Sequence, residues 1–344
     1  MSGSKPAVAR IDDVARMAGV SPMTVSRVMN NASGVRASTR EAVLKAVAAL
    51  DYTPNAAARS LASAGAGRVG LLYSNPSAGY LTEFLLGALE GAHKAGAQLL
   101  IEKCDVDPDS ERKAIGRLAA SGVKGVLLPP PHGESWAVLD EVQAHGLEAV
   151  AVAAGRFRSD AASVRIDDMA AAAEMTRYLL DLGHRRIGFI KGAPNQTASA
   201  ERLIGFETEM RAATPAAEGL IEAGDFTYRS GFEAAERLLS AATPPSAIFA
   251  SNDEMAAAAI AAAHRRGLNI PSELTIVGFD DTQIATTLWP ALTTIRQPIA
   301  DMAEAAVAAL GGLQLDDEAG ARGERLMEHL LVVRESSGPP LGAV

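Results

Sequence analysis

Over the first fifty residues, apolar positions recur at helical spacing. Ile11, Val14, Ala15 and Ala18 share one helix face, and Gly19 follows as a stop signal. A second helix is expected to open at Ser21. Pro22 takes its first position, where a missing N–H costs nothing, and Val25, Val28 and Met29 turn inward. A third is expected from the capping pattern Ser38-Thr39-Arg40-Glu41, burying Val43, Val47 and Leu50. From residue 68 the pattern changes. Short apolar runs ("RVGLLYS", "AQLLIEK", "GVLLPP", "AVAVAA", "SVRID", "RIGFIKG", "SAIFAS", "LTIVGFDD") alternate with Ala-rich helical stretches. Uninterrupted runs of this kind belong to parallel strands covered by helices on both faces. The stretch is too long for one such sheet, so an α/β body of two doubly wound lobes is expected, the last element ending in a strand and a Gly/Pro tail.

Helix, tight turn, helix and a supporting third helix make a helix-turn-helix head. Because the second helix packs through one stripe only, Pro22, Met23, Thr24, Ser26, Arg27 and Asn30 face outward, free to enter a DNA major groove. Arg27 suits a bidentate contact to guanine, Thr24 and Ser26 suit phosphates, and Met23 offers apolar contact to a thymine methyl. Charge sharpens the picture. The 344 residues carry a net charge of −9, yet residues 1–65 hold eight basic against four acidic side chains, leaving 24 basic and 37 acidic in the remainder. A basic head on an acidic body directs only the head to a polyanion. In "YTPNAAARSLASAG", Asn55 can cap a short Ala-rich helix ending near Leu61, followed by a flexible linker. A helix under two turns long is marginal alone and is expected to fold against a partner.

Hydrophobic content of 48% with 21% charged residues fits a globular protein. No run of about 20 apolar residues and no apolar leader is present, which reads as a cytoplasmic chain without membrane contact. The single cysteine, Cys104, leaves no disulfide framework or thiolate-rich metal site.

Ligands of doubly wound folds bind beyond the carboxyl ends of the strands. The polar groups there are Asn75, Ser77 and Tyr80 in "YSNPSAGY", Asn252 and Asp253 in "SND", and Asp280 and Asp281 in "GFDD". Arg202 lies early on a helix, and Phe226 lies in the loop "GDFTYRSGF". An aromatic face with carboxylates, an amide and a guanidinium suits a small polyhydroxylated or planar ligand. Asp253 and Asp281 read mainly as caps, and His184 as the end of a helix meeting its C-terminal dipole. No His/Cys metal spacing, Gly-rich phosphate loop or nucleophile–base pair stands out, so neither an enzyme nor a cofactor is expected.

The blocks "IDDVARMAGVSPMTVSRVMNN" and "TREAVLKAVAALDYTPNAAARSLA", with the later strand ends, resemble the LacI/GalR family of bacterial transcription regulators from about Ile11 to Ser337. The resemblance implies that Pro22, Met23 and Arg27 face bases, and that a hinge helix enters the minor groove. There Ala58 would line the groove and Leu61 would wedge into a base step. It implies homodimers on pseudo-palindromic double-stranded DNA, paired along the first lobe through the helix starting near Tyr80. No apolar heptads follow the last strand to add a tetramerising helix. It assigns small-molecule effector contacts to Arg202, Phe226, Asn252 and Asp280, places Ile166 on the pocket wall and puts Gln297 at a crossover between lobes. The expected domains are a helix-turn-helix unit (1–53), a hinge and linker (54–67) and an effector-binding and dimerisation body (68–344). In the body, lobe 1 takes about 68–165 and 297–324, and lobe 2 about 166–296 and 325–337. The expected function is a ligand-responsive regulator, a repressor of carbohydrate-utilisation genes released by a sugar-type effector. The alternative is a purine or other non-sugar effector acting as corepressor. Where some sugar-binding members carry an acid, this chain has Ala153, Ala154 and Gly155, followed by Arg156 and Phe157, so analogy does not name the sugar.

Overall fold

In the computed structural model, residues 11–29, 36–50, 67–74, 77–155, 161–311 and 323–341 are described, without the side chains of Ile11, Asp12, Ser26, Arg27, Met29, Ala37 and Ala48. Asn30, Asn55, Ala58, Leu61 and Asn75 lie outside the described residues. The chain forms two compact units, Met1–Ala66 and Gly67–Val344.

In the first unit, α1 (Ile11–Ala18), α2 (Pro22–Met29) and α3 (Ala37–Ala49) close over a core of Val14, Ala15, Val25, Val28, Val43 and Ala46. Val47 and Leu50 are only partly buried at its edge. Gly19 turns the chain after α1 with φ +65, a conformation that side chains other than glycine's resist. Ser21 caps α2, its Oγ accepting from the Thr24 N–H at 3.2 Å. The third helix departs from expectation. It starts at Ala37, and Arg40 N–H already bonds the Arg36 carbonyl at 3.0 Å, so Ser38 sits inside the first turn and is no cap. Alanine's helix preference carries the turn back past the capping pattern.

The second unit holds two six-stranded sheets. The first combines β1 (Arg68–Tyr73), β2 (Gln98–Lys103), β3 (Gly125–Leu128), β4 (Glu148–Val152), β5 (Ala162–Arg165) and β11 (Glu324–Leu326), all parallel, in the order β11-β5-β4-β3-β1-β2. The second combines β6 (Arg186–Ile190), β7 (Glu218–Glu222), β8 (Ala247–Ala250), β9 (Thr275–Asp280), β10 (Thr293–Arg296) and β12 (Leu330–Val332), in the order β12-β10-β9-β8-β6-β7. Only β12 runs antiparallel to its neighbour. The helices are α4 (Ala78–Lys94), α5 (Pro108–Ala120), α6 (Trp136–Ala144), α7 (Asp168–Asp181), α8 (Thr197–Ala212), α9 (Tyr228–Leu239), α10 (Asp253–Arg265), α11 (Gln283–Thr287) and α12 (Ile299–Leu310), with a 3-10 turn at His132–Glu134.

Strand membership makes the chain cross between lobes three times: after β5, between β10 and α12, and between β11 and β12. Three strands were not legible as apolar runs, one of them the three-residue β11, Glu-Arg-Leu. β7 is an edge strand whose apolar content is only Leu220 and Ile221. β10 buries Thr293 and Thr294, whose hydroxyls are hydrogen-bonded to the Arg334 carbonyl at 3.1 Å and Asp253 Oδ1 at 2.6 Å. Satisfied hydroxyls make a buried strand look polar in sequence. In lobe 1, α4 and α12 pack closely enough that a Cβ on Gly87 would stand 2.0 Å from the Ala300 carbonyl oxygen.

His184 does close α7, its backbone N–H bonding the Leu179 carbonyl at 3.1 Å, but its ring takes another role than meeting the helix dipole. It is buried, with Nδ1 2.9 Å from Ser246 Oγ and Nε2 2.9 Å from the Gly338 carbonyl, so it pins the C-terminal tail to lobe 2. Burial foremost holds its pKa below the ordinary histidine value, which suits a neutral ring and not a cation on a helix dipole.

Candidate functional site: the cleft between two lobes

The carboxyl ends of the two sheets border a narrow cleft walled by Ser77, Tyr80 and Ala153 from lobe 1, Gln196, Ala198, Arg202, Phe226, Asn252 and Asp280 from lobe 2, and Gln297 at a crossover. Three of these, Ala153 (φ +52), Phe226 (φ +70) and Asp280 (φ +107), hold backbone conformations that non-glycine residues seldom adopt. Each costs on the order of 1–3 kcal/mol, and such outliers gather where a fold positions ligand groups.

Arg202 anchors the site. Its Nε donates to Asp168 Oδ1 at 2.7 Å, an Nη donates to the Ser251 carbonyl at 2.5 Å, and the same nitrogen lies 3.8 Å from Asp280 Oδ1. The guanidinium sits 3.5 Å from the Phe279 ring centroid and 5.9 Å from that of Phe226. All five neighbours hold the charge in place away from water. Asp280 also accepts from Gln297 Nε2 at 2.6 Å. Burial pushes its pKa up to about 7, against the pull of Arg202 and the Gln297 amide, with Asp168 and Glu254 adding to the rise. Among the described residues, two buried polar atoms on the wall find no partner: Tyr80 Oη and Gln297 Oε1. Burial, then Asp280 and Asp168, raises the Tyr80 pKa, so the phenol keeps its proton and can donate.

Other expected residues take different roles. Asn252 is on the wall but engaged at both ends: Oδ1 accepts from Met255 N–H at 2.9 Å, capping α10, and Nδ2 donates to the Phe226 carbonyl at 3.0 Å. It positions the Phe226 loop. Ser77 caps α4, accepting from Tyr80 N–H at 3.4 Å and donating to Glu254 Oε1 at 3.3 Å. Ile166 is fully buried in the hydrophobic core and is not on the cleft wall. Asp253 is no helix cap; it accepts from the Thr282 N–H at 2.7 Å and from the Thr282 and Thr294 hydroxyls at 3.1 and 2.6 Å. Asp281 is an ion-pair clamp between Arg296 and Arg334, each at 2.7 Å.

Sequence reasoning missed Asp168, Glu134 and Glu254. The doublet Asp167-Asp168 reads as a helix start, and Asp167 is that cap, accepting from Ala170 N–H at 2.8 Å; the second acid is the signal, since one cap needs only one. It also missed a chain of hydrogen bonds in lobe 1. Ser74 Oγ is 2.7 Å from His132 Nε2, and His132 Nδ1 is 2.8 Å from Glu111 Oε1. This has the order of a nucleophile–base–acid triad. Glu111 also accepts from Ser135 Oγ at 2.7 Å, and Cys104 Sγ lies 3.5 Å from the imidazole. Burial foremost pushes the Cys104 thiol up to about 12, so it is no thiolate nucleophile. The network ties the ends of β1 and β3 to α5. No group of three or more His, Cys, Asp or Glu among the described residues forms a metal site, and no described helix is long and apolar enough to cross a membrane.

In the head, Pro22 and Met23 are exposed on α2, Met23 at 74% of its full surface. Thr24 is half-buried, with its hydroxyl 2.9 Å from Ser21 Oγ.

Comparison with known proteins agrees with both units. Residues 10–55 match the family described as bacterial regulatory proteins, lacI family, and residues 176–337 match the periplasmic binding protein-like domain. Catabolite control protein A of Priestia megaterium is 34% identical over 299 residues, 86% of this chain and 90% of that protein. The solved lac repressor dimer bound to operator and the anti-inducer ONPF is 26% identical, covers 96% of this chain and 100% of that one, and superposes with a TM-score of 0.75. The transcriptional regulator CelR, solved in complex with cellobiose, is 28% identical over 96% of this chain and 100% of that one, with a TM-score of 0.70. With a DNA-reading head, a two-lobed ligand cleft and relatives that are regulators and not enzymes, this chain belongs to the LacI/GalR family of ligand-responsive transcriptional regulators.

Proposed function

We propose that this regulator is a repressor of carbohydrate-utilisation genes, released when a small sugar-type effector enters the cleft. The observation that carries the reading is the pair of buried atoms without a partner among the described residues, Tyr80 Oη and Gln297 Oε1, on the same cleft wall as Asp280 and Phe226. Hydroxyl-rich ligands satisfy such groups, and an aromatic ring covers the apolar face of a sugar. The cellobiose bound by CelR supports the same class. On the DNA side, Pro22, Met23 and Arg27 read bases in the major groove, Thr24, Ser26 and Asn30 hold the backbone, and Asn55, Ala58 and Leu61 belong to the minor-groove hinge. The protein acts as a homodimer: Leu86 and Leu89 on α4 and Ile101 on β2 leave 58%, 52% and 49% of their surfaces exposed on lobe 1, an apolar patch for a second copy. A protein acting on operator DNA works where that DNA is, which in a bacterium is the cytoplasm.

Thermal unfolding of the full-length protein against neutral sugars tests the effector reading. A ligand at about 100 times its dissociation constant adds about 2.7 kcal/mol of stability. A shift from one or a few sugars is expected, and it should vanish in Asp280→Ala. A shift from purines alone would replace the sugar reading.

A further inference from the structure

Three helices begin at the cleft. α4 contributes Ser77 and Tyr80, α8 contributes Ala198 with Gln196 just before it, and α10 is preceded by Asn252. Helix N-termini carry unpaired N–H groups and the positive end of the helix dipole, the usual seat for a ligand's phosphate or carboxylate. Here the protein's own oxygens occupy them. Glu254 of lobe 2 reaches across to α4 of lobe 1, where its Oε1 accepts from Gly79 N–H at 3.0 Å and Ser77 Oγ at 3.3 Å. Glu134 of lobe 1 reaches across to α8 of lobe 2, where its Oε2 accepts from Thr197 N–H at 2.9 Å and Thr197 Oγ1 at 2.7 Å, while Oε1 accepts from Gly155 N–H at 3.1 Å. Asn252 closes the third end, and Asp253 and Glu254 follow in its first turn.

The guanidinium on the wall is committed as well. Arg202 faces two carboxylates, Asp168 and Asp280, and donates to a backbone carbonyl. An anionic ligand would have to displace Asp168 and Asp280 from Arg202, would meet like charge from Asp280 once that carboxyl ionises above about pH 7, and would find its natural sockets filled. The wall's unpartnered atoms are an amide oxygen, which only accepts, and a phenol hydroxyl.

We infer that the effector is an uncharged molecule rich in hydrogen-bond donors, a free sugar, and that the cleft rejects the phosphorylated form of the same sugar. The word sugar rests on the function proposed above; the exclusion of anions rests on Glu134, Glu254 and the Arg202–Asp168–Asp280 cluster alone. Each glutamate also reaches from one lobe to the other, so the bonds that fill the sockets are bonds between the lobes.

Two measurements test this on the full-length protein. Calorimetric titration at fixed ionic strength compares matched probes: glucose, galactose and trehalose against their 6-phosphates, with gluconate, adenine and guanine added. Like charge brought into register costs several kcal/mol, so any binding sugar should exceed its phosphate by about 100-fold or more. Equal or tighter binding of a 6-phosphate overturns the charge inference and leaves the sugar reading standing; binding by adenine or guanine alone does the reverse. The second measurement needs no effector. Replacing chloride by inorganic phosphate at constant ionic strength should raise the melting temperature of Glu134→Ala and Glu254→Ala more than that of the wild type, because each truncation removes the acceptor and vacates a socket. A saturable rise in the wild type that equals or exceeds that of both variants overturns the inference, whatever the sugar panel returns.

Discussion

Arg202 and Asp168 form a buried ion pair, and the cleft depends on it. Removing one partner leaves an uncompensated charge in the interior, so Asp168→Asn should destabilise the body by about 3–5 kcal/mol, measured by urea unfolding. A loss below about 1 kcal/mol would mean that water reaches the guanidinium. Asp280 makes a second prediction, with a sign. Its folded pKa lies at about 7, above the ordinary aspartate value of 3.8. Between those values the folded chain keeps a proton that the unfolded chain releases, so this group's contribution to stability falls as pH rises from about 4 to about 7 and levels off above. Wild type should therefore lose stability relative to Asp280→Asn between about pH 5 and pH 7, with a slope of at most about 1.4 kcal/mol per pH unit. Parallel unfolding profiles for the two proteins would contradict that environment. Donors on the effector favour the ionised carboxylate, so binding should weaken below about pH 7.

At the scale of elements, the close contact between α4 and α12 is set by Gly87, where a side chain meets the Ala300 backbone. Gly87→Ala should cost about 1–3 kcal/mol by prising the helices apart, seen as a lower melting temperature; an unchanged value would show that the pair slides freely. Gly192 has the same relation to function, since its absent Cβ leaves room for the Phe226 ring. The helices and most strands were legible because apolar residues recur along them: β1, β6, β8 and β9 are almost wholly buried runs. What periodicity hid was polar burial. Thr293 and Thr294 make β10 look like a loop, and Asp253 looks like a cap while bracing three hydrogen bonds. Asp280 was legible at a strand end, Arg202 early on a helix and Phe226 in a loop. Asp168, Glu134 and Glu254 were not, because their partners lie on other elements: Glu254 meets Ser77 from 177 positions away. For the hinge, the resemblance makes its own prediction. Leu61→Ala should weaken operator binding well beyond non-specific binding, as a salt titration of both would read out; equal loss in both removes the wedge.

For the whole molecule, the two sheets are joined by three crossovers, with Gln297 beside one of them and hydrogen-bonded to Asp280. A ligand at that point touches both lobes and a joint between them, a placement suited to biasing their relative rotation. A coupling of about 1–3 kcal/mol between cleft and head changes operator affinity roughly 5- to 150-fold. The most direct test is selection of DNA from random fragments by the purified full-length protein, with and without a sugar that stabilises it, in wild type and Asp280→Ala. The account predicts enrichment of a pseudo-palindromic site by both proteins without sugar, and loss of that enrichment with sugar in the wild type alone. Enrichment that ignores the sugar in wild type, or that the sugar abolishes equally in Asp280→Ala, would contradict it.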